Sequence, residues 1–151
     1  METGQPMRLY CRTDTDLNAA ARDGRVLLVT ADPNDESQHW FQYYDIVGKL
    51  TDDQGRRAFA LVNRATGQAM VNKTSNVCLV DYSDQRVEIS MMWSMGVKLP
   101  NGFSEVRMLT DTSYTLNVVN GWVQEDALIG LYSPEPHNDH AIWRIVPING
   151  E

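Results

Sequence analysis

Val26-Leu27-Leu28-Val29 ahead of Trp40, Val77-Cys78-Leu79-Val80 ahead of Trp93, and Leu128-Ile129-Gly130-Leu131 ahead of Trp143 decide how this chain folds. The three runs end 11, 13 and 12 positions before their tryptophans, and the tryptophans stand 53 and 50 residues apart in a chain of 151. A second apolar run opens each stretch: Leu9-Tyr10-Cys11, Phe59-Ala60-Leu61-Val62 and Val106-Arg107-Met108-Leu109. A recurring unit of this length is too small to bury its own apolar face, so the copies must share one core.

The runs are short, aliphatic or aromatic, and bounded by turn residues such as Asp23-Gly24, Asp52-Asp53-Gln54-Gly55, Pro100-Asn101-Gly102 and Asn120-Gly121. Turn signals roughly every ten residues read as an all-β sandwich or barrel. Leu17 to Arg22, although rich in alanine, reads as a strand entering an Asp23-Gly24 hairpin. Its Leu17-Asn18-Ala19 corresponds to Gln68-Ala69-Met70 and Leu116-Asn117-Val118. The chain divides at about residues 7–50, 51–99 and 100–148, within one domain covering 1–151. The span Met108–Leu131 is 23 residues against 18 for Tyr10–Leu28 and 19 for Ala60–Leu79, which predicts an insertion around Val119 to Asp126. Three four-stranded units closing on one axis form a β-trefoil, a barrel capped by three hairpins, which leaves no strand edge open. Trp40, Trp93 and Trp143 are expected in its core, where ring burial alone explains their recurrence. Trp122 breaks the period and is expected to be exposed.

The length suits a single domain and the 42% apolar content a sizeable core. A net charge of -7 repels phosphate backbones, and no basic patch offsets it: Arg22 and Arg25 flank Asp23, and Arg56-Arg57 follows Asp52-Asp53. Nucleic acid is therefore not an expected partner. Cys11 and Cys78 both lie in apolar runs and read as buried free thiols. Residues 1–7 contain no apolar segment of a secretory signal, and no window nears the ~18 apolar residues of a membrane span. A cytoplasmic and nuclear address follows as an expectation. Asn72-Lys73-Thr74 has the form of a glycosylation triplet.

No nucleophile motif, phosphate loop, dinucleotide fingerprint or zinc-protease helix is present, and neither an enzyme nor a cofactor is expected. Asp52-Asp53 reads as a solvated turn. His137-Asn138-Asp139-His140 places two imidazoles around a carboxylate, a spacing that reads as a polar loop and not as a metal site. His39 reads as packed or capping. Gln38 is expected to bond a backbone group at its turn. Met91, Met92 and Met95 read as core filler around Trp93.

Gln38-His39-Trp40 matches the Q-x-W signature of ricin-B-type lectin repeats, and the other units keep the tryptophan in Met91-Met92-Trp93 and Ala141-Ile142-Trp143. Leu9-Tyr10-Cys11-Arg12, Arg22-Asp23-Gly24-Arg25-Val26, the stretch from Ala31 to Trp40 and the stretch from Phe59 to Gly67 resemble the Euonymus lectin family of plants. The resemblance covers the whole chain and is strongest in its first two thirds. It implies a ricin B-like β-trefoil, a nucleocytoplasmic home in plant cells, a role in stress responses, and binding of mannose- or galactose-containing glycans. The family's site joins an Asp of the first unit to a Trp and an Asn of the last. The Asp position is Asp23, the Trp position is Tyr132, and Asn138 or Asp139 falls nearest the Asn position.

A pyranose presents hydroxyls and a patch of C–H bonds, so its recognition needs carboxylates or amides together with an aromatic face. Asp23, Tyr132, Asn138 and Asp139 supply those types. Each also has a structural reading: Asp23 as a turn residue before Gly24, Tyr132 as a hairpin plug, and Asn138-Asp139 as loop polarity. Two functions follow as expectations. One is a non-catalytic lectin; the other is a protein–protein contact module whose sugar site has been lost.

Overall fold

Each aliphatic run is one strand of a hairpin, paired with the segment before it. The computed structural model describes residues 4–44, 46, 48–73, 76–133 and 138–148. The first unit contains β1 (Met7–Cys11), β2 (Leu17–Arg22), β3 (Arg25–Thr30) and β4 (Trp40–Tyr44). The second contains β5 (Phe59–Asn63), β6 (Gln68–Lys73), β7 (Asn76–Asp81) and β8 (Trp93–Met95). The third contains β9 (Val106–Met108), β10 (Thr115–Val118), β11 (Ile129–Tyr132) and β12 (Trp143–Pro147). β3 and β7 alternate buried with more open residues, as strands covered on one face do, whereas β5 and β10 are buried throughout.

The outer strands of the units close a ring. β1 pairs antiparallel with β4 and β12, β4 with β5, β5 with β8, and β8 with β9. The ring is completed by the Ser104–Trp143 bridge, with reciprocal N–H···O contacts of 2.9 and 2.8 Å. The inner strands of each unit form the hairpins β2–β3, β6–β7 and β10–β11, which cap one end. Contacts between them are direct: Leu79 N–H donates to the Gly24 carbonyl at 2.9 Å, and Leu28 N–H to the Ala127 carbonyl at 2.8 Å. This is the β-trefoil expected from the period.

The three indoles do the same thing in each unit. Trp40, Trp93 and Trp143 have no exposed surface. Their Nε1–H groups donate to the carbonyls of Ala19 (2.9 Å), Met70 (3.1 Å) and Leu116 (2.9 Å). A buried indole needs a partner for its N–H, and each hairpin supplies one. The bonds also fix which residues are equivalent. Ala19 matches Met70 as expected, but its counterpart in the third unit is Leu116, not Val118. Side chains alternate with a period of two, so a slip of two residues leaves the apolar pattern intact and invisible in sequence.

A single turn of 3-10 helix precedes each tryptophan, at Glu36–Gln38, Ile89–Met91 and Asp139–Ala141. Its last residue is buried in every unit: Gln38, Met91 and Ala141. Gln38 bonds the turn as expected. Its Nε2 donates to the Thr30 carbonyl at 3.0 Å, and its Oε1 accepts from Asn18 Nδ2 at 2.8 Å and Asp32 N–H at 3.0 Å.

Several smaller expectations change. Cys11 is buried and free, but Cys78 is only half-buried, though also free. Asp52 is no solvated turn residue. Its buried carboxylate accepts from Ser94 Oγ (2.7 Å), Gln54 N–H (2.8 Å) and Arg56 N–H (3.0 Å). Burial pushes its pKa up, but these hydrogen bonds and the Arg56 charge outweigh that and hold it below the usual carboxylate range. Asn72 donates its amide to the Ser90 carbonyl at 3.0 Å; Thr74 of the same triplet lies outside the described residues. Among the described residues no helix is long and apolar enough to cross a membrane.

Candidate functional site

The hairpin of the third unit differs from the other two in one position that opens it. Asn117 on β10 pairs with Gly130 on β11. The indole-bond alignment places Leu27 and Cys78 where Gly130 stands, opposite Ala20 and Val71. With no side chain at Gly130, the outer face of the hairpin is hollow. A Cβ there would lie 3.1 Å from Cγ2 of Val119, so the hollow tolerates little.

A cleft of about 360 Å³ occupies this place. Its floor is Asn117 and Gly130, with Val119, Asn120 and Gly121 on one side and Tyr132 on the other; Asn138 and His140 close it from the segment before Trp143. Gly121 has φ +70 and no side chain, which lets the His140 ring come close: a Cβ at Gly121 would be 3.0 Å from its Cε1.

Asn117 carries most of the argument. It is 5% exposed, and its carboxamide makes no hydrogen bond to any described residue. Buried asparagines normally pair their amides within the protein, yet the Asn117 amide is not among the buried side-chain atoms cut off from water, so it is solvated through the cleft. The other buried asparagines obey this rule. Asn63 donates to the Ser37 carbonyl at 2.8 Å and accepts from Ala65 N–H at 3.0 Å. Asn18 bonds both Gln38 and Arg8 at 2.8 Å. The Asn117 amide makes no such bond to a described residue and lines the cleft, free to meet a ligand or water there.

The four residues singled out in sequence fare differently. Tyr132 is 57% exposed and lines the cleft. Asn138 lines it too; it precedes the 3-10 turn but makes no side-chain capping bond, so its amide remains uncommitted. Asp139 is turned away. It accepts from Arg12 Nε at 2.8 Å and forms an ion pair with the same guanidinium, tying the third unit to the first. Asp23 is not among the cleft's lining residues. It sits exposed at the tip of the β2–β3 hairpin with φ +51, followed by Gly24 at φ +78, the backbone of a two-residue turn with both central residues left-handed. Asn117 and Asn120 also line the cleft and carried no expectation of a binding role from the sequence. The signal for Asn117, a glycine opposite it, appears only once the register is known.

Among the described residues the cleft offers three carboxamides, one imidazole and one phenol ring, and no carboxylate. Carboxamides both donate and accept, which suits hydroxyl groups of either sense. Among the described residues no group of three or more His, Cys, Asp or Glu is placed to hold a metal. His137 lies outside the described residues, so the expectation for the His137–His140 loop concerns only its second half. His39 is buried and packed. Desolvation and the Arg64 charge push its pKa down, and its Nε2 has no partner.

No family model matches the chain. The ricin B-like lectin EULS3 of Arabidopsis thaliana is 32% identical over 149 residues, covering 93% of this chain and 47% of that protein. The chain is a relative of the plant ricin B-like lectins. It spans about half the length of the curated relatives it matches. Among solved structures, the designed threefold-symmetric protein ThreeFoil superposes with a TM-score of 0.71 at 20% identity, covering 93% of this chain and 97% of that one. The C-half of the earthworm R-type lectin, solved in complex with GalNAc, gives 0.65 at 10% identity, covering 95% and 99%. These two likenesses establish the β-trefoil fold.

Proposed function

We propose that the chain is a lectin that binds a glycan non-covalently, and without chemistry, in the third-unit cleft. The observation that carries this reading is the unpartnered Asn117 amide on the floor of a hollow made by Gly130. Asn117 and Asn138 fix the directions of sugar hydroxyls, and the ring of Tyr132 packs on the C–H face of the pyranose. Mannose- or galactose-containing glycans are the ligands in this reading, as the resemblance to the Euonymus lectin family implies. Asp139 acts indirectly, anchoring the loop through Arg12, and Asp23 serves the turn of its own hairpin.

Affinity at one cleft is low, because a few polar contacts must displace well-held water. Useful avidity requires another copy of the chain or a partner. The compartment in this reading is the plant cytoplasm and nucleus, where two free thiols, Cys11 and Cys78, remain reduced.

A glycan array probed with wild type, Asn117→Leu, Tyr132→Ala and Asp23→Ala tests the proposal. Binding is expected for wild type and Asp23→Ala and lost in the two cleft variants. Loss in Asp23→Ala alone would move the sugar to the first hairpin. One observation favours a second reading, a protein-contact module: Trp122 is 73% exposed. Capture of a defined protein partner through Trp122, with no glycan bound by wild type, would support that reading instead.

A further inference from the structure

The hairpin that bears the cleft also gathers the molecule's exposed apolar side chains. Four of the seven large ones among the described residues, Tyr114, Val119, Trp122 and Tyr132, lie within this one segment. Val119 and Tyr132 line the cleft. Trp122 is the most exposed of all and follows directly on Gly121, whose backbone forms the cleft wall. Since Gly121 has no side chain, none intervenes between the cleft and the indole from that position.

The segment holding Trp122 is the predicted insertion, and it is fixed rather than fraying. The Glu125 carboxylate accepts from Thr30 N–H at 2.7 Å and Thr30 Oγ1 at 2.6 Å. Asp126 N–H donates to the Leu28 carbonyl at 2.7 Å, and Ala127 N–H to the Gln124 carbonyl at 3.1 Å. The next residue, Val123, packs against the central core. Trp122 therefore stands between a cleft-lining glycine and a core valine, on backbone tied to the first unit.

An exposed indole on a fixed backbone is a surface that a ligand can cover without paying to order it. Gly121 and the half-buried Val123 flank it, and the exposed side chains two positions away, Asn120 and Gln124, are polar, while Glu125 is engaged with Thr30. Protein-binding anchors sit at the dry, apolar centre of a patch. An aromatic plate surrounded by amides is the combination a sugar needs, for the same reason that Tyr132 and Asn138 suit one.

We infer that Trp122 is a second sugar-stacking platform beside the third-unit cleft, so that the site reads a glycan of two or more sugar units and not a single terminal sugar. The inference rests on the glycan reading of the cleft. One pyranose occupies the floor over Asn117 against Tyr132, and the next lies on Trp122, its hydroxyls reached by Asn120 and Gln124.

The test compares the dissociation constants of the intact protein for methyl mannoside and methyl galactoside with those for the corresponding trisaccharides. Wild type is expected to bind its preferred trisaccharide about tenfold more tightly than the monosaccharide, the gain appropriate to one added aromatic contact. Trp122→Ala should erase that gain, leave the monosaccharide constant unchanged and keep the unfolding midpoint. Trp122→Phe should retain part of the gain. Asn117→Leu should weaken both ligands alike. If Trp122→Ala keeps the chain-length gain, or weakens mono- and trisaccharide equally, the second platform is refuted while the cleft stands. If wild type binds none of these saccharides, both readings fall together.

Discussion

Replacing Asn117 by leucine should make the protein more stable and blind to its ligand. Asn117 is 5% exposed, and no described residue bonds its amide, which only cleft water reaches. A fully buried polar group without a partner costs roughly 1–3 kcal/mol, and the Asn117 amide, in reach of water, costs only part of that. The cleft lets some water reach Asn117, so the recoverable part is toward the lower end, about 1 kcal/mol. For a chain of this size that shifts the unfolding midpoint upward by roughly 2–4 °C. The matched control is Asn63→Leu. Asn63 is 1% exposed and holds Ser37, Ala65 and Thr66 through its amide. Its loss leaves those groups unpaired and should cost about 2–3 kcal/mol. Thermal and urea unfolding of the two variants, alongside a glycan-binding assay, gives the answer. If Asn117→Leu destabilises as Asn63→Leu does, Asn117 is a structural amide and the functional argument built on it fails. A stabilised variant that still binds its glycan would refute the same argument from the other side.

Trp143→Phe should cost about 2–4 kcal/mol in urea unfolding, since the indole is fully buried and its loss also orphans the Leu116 carbonyl; a cost below 1 kcal/mol would mean that the third indole is not equivalent to a core residue. Gly130→Val should abolish glycan binding with little change in fold, because its side chain enters the cleft within 3.1 Å of Val119; full binding by this variant would place the ligand elsewhere. Asp52 has a pKa held below its ordinary value of 3.8 in the folded state. Its contribution to stability is complete above that ordinary value and is lost as the pH falls through the lower folded one, because the unfolded chain takes up the proton first. Asp52→Asn should therefore flatten the acid limb of the stability–pH curve below about pH 4, and an unchanged limb would deny the Asp52–Ser94 bond its role.

The architecture was legible because burying an indole leaves a mark at every repeat: one buried tryptophan per unit, each preceded by an aliphatic run. The insertion was legible as extra length, and it is the loop between β10 and β11 that carries Trp122. The exact equivalence of the third hairpin was not legible, since moving Leu116 into the place given to Val118 changes no alternation. The cleft was hidden by the same ambiguity. Gly130 reads as one more apolar residue of a core run until its pairing with Asn117 is known. Asp52 was misread because the sequence shows a pair of acids in a turn, not the Ser94 hydroxyl that arrives from another strand. Asp23 shows the opposite case: a turn and a sugar ligand ask for the same residue type, and sequence does not separate them.

The most direct measurement is an NMR titration of the ¹⁵N-labelled protein with mannose- and galactose-containing trisaccharides, following side-chain amides as well as backbone resonances. Saturable shifts should centre on the Asn117 and Asn138 carboxamides and the Gly121 and Gly130 backbone, with the Trp122 indole responding to the longer ligands. Shifts confined to the Asp23-Gly24 hairpin, or none with any ligand, would contradict the claim that the third hairpin is where this trefoil takes hold of a sugar.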